Sequence, residues 1–175
     1  MHTVRQRPVW PFVLTGSVLG LAVLAAVGTG AWVIYRMSDP ATTFLAGIRV
    51  DGSRVSVKMP ACRTDAVESV EVHDFDSEAL LWRATGPKTP EGRRGVIALW
   101  NADDFREATS GSRPGTLPAN LDVSVTFAGT GDGTGDVFDV HRARTAHLSD
   151  GQYWTRDGAR TAAQIDAQFG CHDGG

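Results

Sequence analysis

The sequence predicts a mainly β protein: an N-terminal transmembrane helix, then an antiparallel two-sheet β-sandwich, then a short C-terminal helix. Immunoglobulin-like architecture is one form such a sandwich takes. Three observations lead there. Pro8 to Tyr35 contains no Asp, Glu, Lys or Arg. Seven or eight short strand-like runs separated by turn residues follow it. Thr161 and Gln164 then match a capping box ahead of a final helical turn.

A hydrocarbon core about 30 Å thick needs roughly 20 helical residues. Val9 to Tyr35 exceeds that, with only Thr15, Ser17 and Thr29 as polar interruptions. Trp10 and Phe12 at one end and Trp32 and Tyr35 at the other suit the two membrane interfaces. The rival reading is a cleaved signal peptide, with Arg5 and Arg7 as its basic start and Ala26-Val27-Gly28 as its cleavage site. The apolar run continues through Trp32, Val33 and Ile34, longer than the roughly 7–15 residues of a signal core, and this favours an uncleaved anchor.

The expected organisation is a cytoplasmic segment over 1–8, the membrane helix over 9–35, a linker over 36–43 and an extracytoplasmic sandwich over 44–175. Flanking charge is nearly balanced, so it is the cysteine pair that places the C-terminal part outside the cytoplasm. Gly16 and Gly20 match the small-xxx-small spacing that lets two membrane helices approach, a route to self-association.

Within the sandwich, Phe44–Val50 and Arg54–Met59 flank Asp51-Gly52-Ser53 as a hairpin, with Val55, Val57 and Met59 alternating against Arg54, Ser56 and Lys58. Val67–Phe75 and Ala79–Thr85 form a second hairpin, with Val70 and Val72 on one face and Leu80, Trp82 and Ala84 sharing a face of the partner. The prolines and glycines of 86–95 indicate a loop. Val96–Trp100, apolar on both faces, predicts a central strand, and Asn101–Ala108 a capped helical turn. Leu121, Val123, Val125 and Phe127 alternate with polar residues in a half-buried strand. A glycine-rich tip over 129–135, a returning strand over 137–142 and a last strand over 152–155 complete the pattern. Trp82, Trp100, Phe127, Phe138 and Trp154 read as core.

Cys62 and Cys171 are the only cysteines, and in a translocated domain they are expected to pair. The bond would close a loop of 110 residues, for which chain entropy gives roughly 4–5 kcal/mol. Beyond Asp39 the chain has 19 acids against 14 Lys and Arg, and the whole-chain pI is near 5.9, so there is no basic footprint for nucleic acid.

Few residues suggest chemistry. Asp132, Asp136 and Asp139 surround the glycine-rich tip and are the Ca²⁺ candidates, but they lack EF-hand spacing and read more simply as a solvated hairpin end. His73, His141, His147 and His172 could meet Asp74 or Asp76 at a metal, yet none has a recognised ligand spacing. There is no G-x-S-x-G elbow, and no cofactor is implied.

Fifteen Arg against two Lys indicates a GC-rich coding sequence. Through its anchor and sandwich-like tail the chain resembles the uncharacterised single-pass, membrane-anchored envelope proteins of GC-rich bacteria. That resemblance implies no active site. The expected function is a membrane-anchored extracytoplasmic binding or protein-interaction module, contacting the lipid bilayer through 9–35 and an envelope protein or glycan through its domain. The alternative is an envelope hydrolase or metal-dependent enzyme.

Overall fold

The computed structural model describes residues 44–109, 113–129, 131–169 and 171. The expected segments over 1–8, 9–35 and 36–43, the Gly16–Gly20 contact and His172 lie outside the described residues. Among those described, no helix is long and apolar enough to cross a membrane.

Among the described residues, ten strands form two antiparallel five-stranded sheets. The strands are β1 (Gly47–Asp51), β2 (Arg54–Lys58), β3 (Val67–Asp74), β4 (Leu80–Pro87) and β5 (Val96–Ala98). They continue as β6 (Phe105–Ala108), β7 (Asn120–Phe127), β8 (Gly133–Asp139), β9 (Gln152–Thr155) and β10 (Gly158–Thr161). The first sheet runs β10-β9-β1-β2-β5 and the second β6-β4-β3-β7-β8. Three short helices accompany them among the described residues: α1 (Pro90–Arg93), α2 (Val140–Thr145) and α3 (Ala162–Asp166).

The two sheets bury one shared core. Ile48, Val57 and Ile97 of the first sheet and Val70, Val72, Trp82, Leu121 and Val123 of the second belong to a single apolar cluster. Each such Val, Leu or Ile contributes about 1.5–3 kcal/mol by leaving water. β7 is the most regular member: its odd-numbered residues are buried and its even-numbered residues half-buried along the whole strand, as its alternation predicts. Trp82 meets Phe105 edge to face at 5.3 Å, and Trp100 and Trp154 pack partly against the cluster.

Both expected hairpins form, with corrections at β-bulges. Val72 pairs with Trp82 but His73 with Leu80, so Leu81 is an extra residue in β4. A bulge reverses the side-chain alternation beyond it. Leu80 therefore lies 45% exposed instead of sharing the face of Trp82, and Leu81 packs on the core. Glu68 is likewise extra in β3, which lets Val67 and Val70 both point inward despite their odd spacing.

Four further elements depart from the expectation. The 86–95 segment is not all loop, because β4 runs through Pro87 and Thr89 caps α1 by accepting from the Gly92 N–H. Val96–Ala98 is an edge strand beside β2, not a central one. Ile97 is buried while Val96 and Ala98 are half-buried, and α1 packs beside the strand. The helical turn after Asn101 lasts only from Ala102 to Asp104, and Phe105–Ala108 extends to pair with β4. The returning strand starts earlier, at Gly133, and ends at Asp139, whose carboxylate accepts from the Arg142 N–H and opens α2.

The C-terminal region is fastened to the first sheet. Thr161 and Gln164 form both halves of the capping box at α3, and Ile165 is fully buried. Cys62 and Cys171 are disulfide-bonded, with Cα atoms 5.6 Å apart. The Leu45 N–H donates to Gln168 Oε1 at 2.7 Å, and Gln168 Nε2 donates back to the Leu45 carbonyl at 2.9 Å.

Candidate functional site

The residues that sequence reasoning singled out are spread over separate structural tasks. Asp136 accepts from the Ala46 N–H at 3.2 Å and lies 3.9 Å from Arg156, joining β8 to the first sheet. Asp139 caps α2, and Asp132 is exposed at the β7–β8 turn, where its carbonyl accepts from the Phe127 N–H. Among the described residues, no three His, Cys, Asp or Glu side chains are grouped to hold a metal ion.

The histidines are equally dispersed. His73 bonds Glu71 at 3.2 Å, and that carboxylate raises its pKa above the ordinary value against a smaller opposing effect of burial. Glu71 also pairs with Arg83 at 2.7 Å on the outer face of the second sheet. His141 and His147 are exposed on or just after α2. Asp74 accepts from the Asp76 N–H in the tight turn that sequence reasoning placed there.

Two arrangements were not legible in advance. The first is Lys58. Strand alternation puts it with Arg54 and Ser56 on the outward face of β2, yet it is 1% exposed. The end of α3 and the 94–95 segment cover that part of the face. All three ammonium donors have partners: Asp166 at 2.6 Å, the Arg94 carbonyl at 2.7 Å and the Met59 carbonyl at 2.9 Å. Burial pulls the Lys58 pKa down, and the hydrogen bond and charge of Asp166 oppose that pull. Asp166 also accepts from the Ala61 N–H, one residue before the disulfide. This is a structural latch for the C-terminal helix.

The second is a cleft between the β1–β2 turn and the end of β5, lined among others by Arg54, Ser56, Trp100, Asn101 and Arg113. Its geometry begins in the backbone. The Leu99 N–H still donates to the Val55 carbonyl as β5 ends, and Trp100 then turns to a φ of 59°. A side chain in the left-handed region costs about 1–2 kcal/mol, and a bulky aromatic is an unusual residue to hold there. The chain continues into the Ala102–Asp104 turn, tied by Asn101 Nδ2 donating to the Asp104 carboxylate at 2.8 Å.

Trp100 is among the residues that line the cleft, and its Nε1–H is buried with no hydrogen-bond partner among the described residues. Arg113 Nε is in the same condition and lines the same cleft. Buried polar groups are paired in the great majority of cases, so two unpaired donors on residues of one cleft are uncommon. Asp51, the one acid lining it among the described residues, is held by Arg49 Nε at 2.6 Å, and the Asp104 carboxylate stands behind Asn101. Ser53 and Ser56 add hydroxyls to the lining, and neither His141 nor His147 is among the residues that line it. The arrangement can donate hydrogen bonds and positive charge.

No family model matches the chain, and no curated protein or solved structure matches it either.

Proposed function

We propose that this chain is a membrane-anchored, extracytoplasmic binding or protein-interaction module of the cell envelope, held with its N-terminus in the cytoplasm. The observation that carries the reading is a charge-free run over 8–35 ahead of a β-sandwich closed by the Cys62–Cys171 disulfide. A disulfide of this kind suits an oxidising compartment, and a sandwich with loops at its ends is an architecture widely used for binding. The same features support kinship with the single-pass envelope proteins of GC-rich bacteria. In this reading Gly16 and Gly20 form a contact between two anchors, and an envelope protein or glycan is the partner of the domain.

Fractionation tests the reading. The full-length protein is expected in the membrane pellet after carbonate washing, and externally added protease should degrade the domain in spheroplasts while the cytosol stays protected. A soluble, shortened product beginning near Thr29 would replace the anchor with a cleaved signal peptide. Protection of the domain until the membrane is lysed would reverse the orientation.

A further inference from the structure

We infer that β8 is the edge along which two copies of this chain pair, joining their second sheets into one antiparallel sheet across a two-fold axis. The inference rests on the anchored reading, in which Gly16 and Gly20 bring two anchors together. It starts from the backbone. The Phe127 N–H donates to the Asp132 carbonyl and the Val140 N–H to the Ala119 carbonyl, so at both ends of the β7–β8 register it is the even-numbered residues that face β7. An antiparallel pair bonds through alternate residues only. Gly133, Gly135, Val137 and Asp139 therefore turn their N–H and C=O groups to the open side, and all four are exposed. The Val137 N–H donates to Asp136 Oδ1 beside it at 2.9 Å, and among the described residues no strand lies on that side of β8.

Length and guarding separate this edge from the other described edges, β5, β6 and β10. Those span three or four residues, and β6 and β10 carry Arg106 and Arg160. β8 runs for seven residues without Lys, Arg, Pro or a break in register. A long edge without such guards is a template for another strand. Its two acids are engaged within the chain: Asp136 accepts from the Ala46 N–H and lies 3.9 Å from Arg156, and Asp139 caps α2 and lies 3.4 Å from Arg142. What identifies the second strand is where the rest of the chain joins the domain. Ala46 is held at Asp136, and the Arg156 guanidinium reaches the Phe44 carbonyl at 3.4 Å, so residues 1–43 join the domain beside β8. Two copies joined through those residues hold their β8 edges at high effective concentration, and a two-fold pair of identical strands is antiparallel. With all seven residues overlapped, Val137, 42% exposed on the outer face, lies opposite Gly135 of the copy, and the two valines sit diagonally about 7–8 Å apart. Asp136 meets its own copy on the inner face, each carboxylate with an Arg156 beside it. The ladder replaces the contact of the Val137 N–H with its own neighbour.

The test is amide hydrogen exchange, followed by NMR, in the full-length protein in detergent micelles, with sedimentation reporting its oligomeric state. In a dimer the Gly133, Gly135 and Asp139 N–H groups are expected to exchange at least about 100-fold more slowly than that of Gly151 in an exposed turn. Diluting the protein into excess empty micelles should abolish this protection as monomers form. Val137→Lys sets two like charges side by side and should weaken the pairing at least about tenfold, and mixing it with Val137→Glu should restore it. Fast exchange at all three amides, in a dimer or a monomer, would overturn the assignment. Protection that persists in the monomer would put another segment of the same chain on β8 and overturn it equally, as would a folded Val137→Lys protein with full protection. If Val137→Lys does not fold, the dilution series decides by itself. Fractionation reads separately: a soluble dimer with protected β8 amides would remove the anchor and keep the pairing, whereas a membrane protein with open β8 amides would keep the anchor and remove the pairing.

Discussion

Lys58 and Trp100 are both partly polar side chains placed where strand patterning expects ordinary residues, and their surroundings differ completely. The Lys58 ammonium meets one carboxylate and two carbonyls, one for each of its protons. The Trp100 indole N–H meets none of the described residues, and its backbone is strained as well. A buried polar group with every bond made holds a fold together, and removing it leaves others unpaired. One with no bond made forfeits that contribution, and at Trp100 it is the packing of the ring against the core that remains.

β7 sets the scale against which that contrast can be broken. Val125 is 2% exposed and pairs with Val70 in the middle of the second sheet. Val125→Asp places a carboxylate there without a partner, and we predict a loss above about 4 kcal/mol, enough to abolish the cooperative melt followed by circular dichroism. Asp132→Ala at the exposed β7–β8 turn should move Tm by no more than a few degrees, with or without Ca²⁺. A large Ca²⁺-dependent rise in Tm that Asp132→Ala removes would reveal a metal site at that turn.

Lys58→Met comes next. The substitution keeps the stem volume but strips two carbonyls and Asp166 of their donor. Asp166 keeps 37% of its side-chain surface in water, so the expected loss is about 2 kcal/mol, below that of a fully buried pair. Chemical denaturation measures it, and a variant as stable as the parent would show that the latch contributes nothing.

Trp100→Phe should do much less. The ring is retained and no existing hydrogen bond is lost, so stability is expected to stay within about 1 kcal/mol of the parent. A loss as large as that of Lys58→Met would mean that the indole N–H has a structural partner, and the contrast between the two residues would collapse.

The smallest effect concerns pH. Glu71 raises the His73 pKa in the folded state, so this pair stabilises fully below the ordinary histidine value near 6.5. That contribution is lost as pH climbs through the raised folded value. Tm of the parent relative to His73→Gln should therefore decline from about pH 6 upward, by a degree or two for a pair this exposed. A difference that is flat across that range would remove His73 from the outer-face network.

How much of this was legible follows from what each signal reports. Periodicity reports the face of a strand, and β7, both early hairpins and the Thr161–Gln164 capping box were therefore readable. It does not report bulges, so Leu80 was assigned to the wrong face. It does not report what covers an outer face, so Lys58 looked solvated. Phe105–Ala108 carries helix-favouring Arg, Glu and Ala, and its edge position beside β4 overrides that preference. β10 was missed because its ends are half-buried and its middle exposed, without alternation. The Asp157-Gly158 pair that marks its hairpin with β9 was the available clue. The Trp100 cleft was invisible for a different reason: it depends on one backbone angle and on which donors remain unpaired, and no spacing in the sequence encodes either.

The bond between Cys62 and Cys171 also changes what a cut in the chain can do. It turns everything between those residues into a covalent ring. The exposed turn at Asp150 and Gly151 lies inside it. A protease that clipped this turn would open the ring without freeing a fragment, and the two pieces would still meet across the β1–β9 ladder and the Lys58–Asp166 pair. On a gel the nicked protein would run as one species until a reductant separated it into two. A domain so joined can lose continuity of its backbone and keep its assembly.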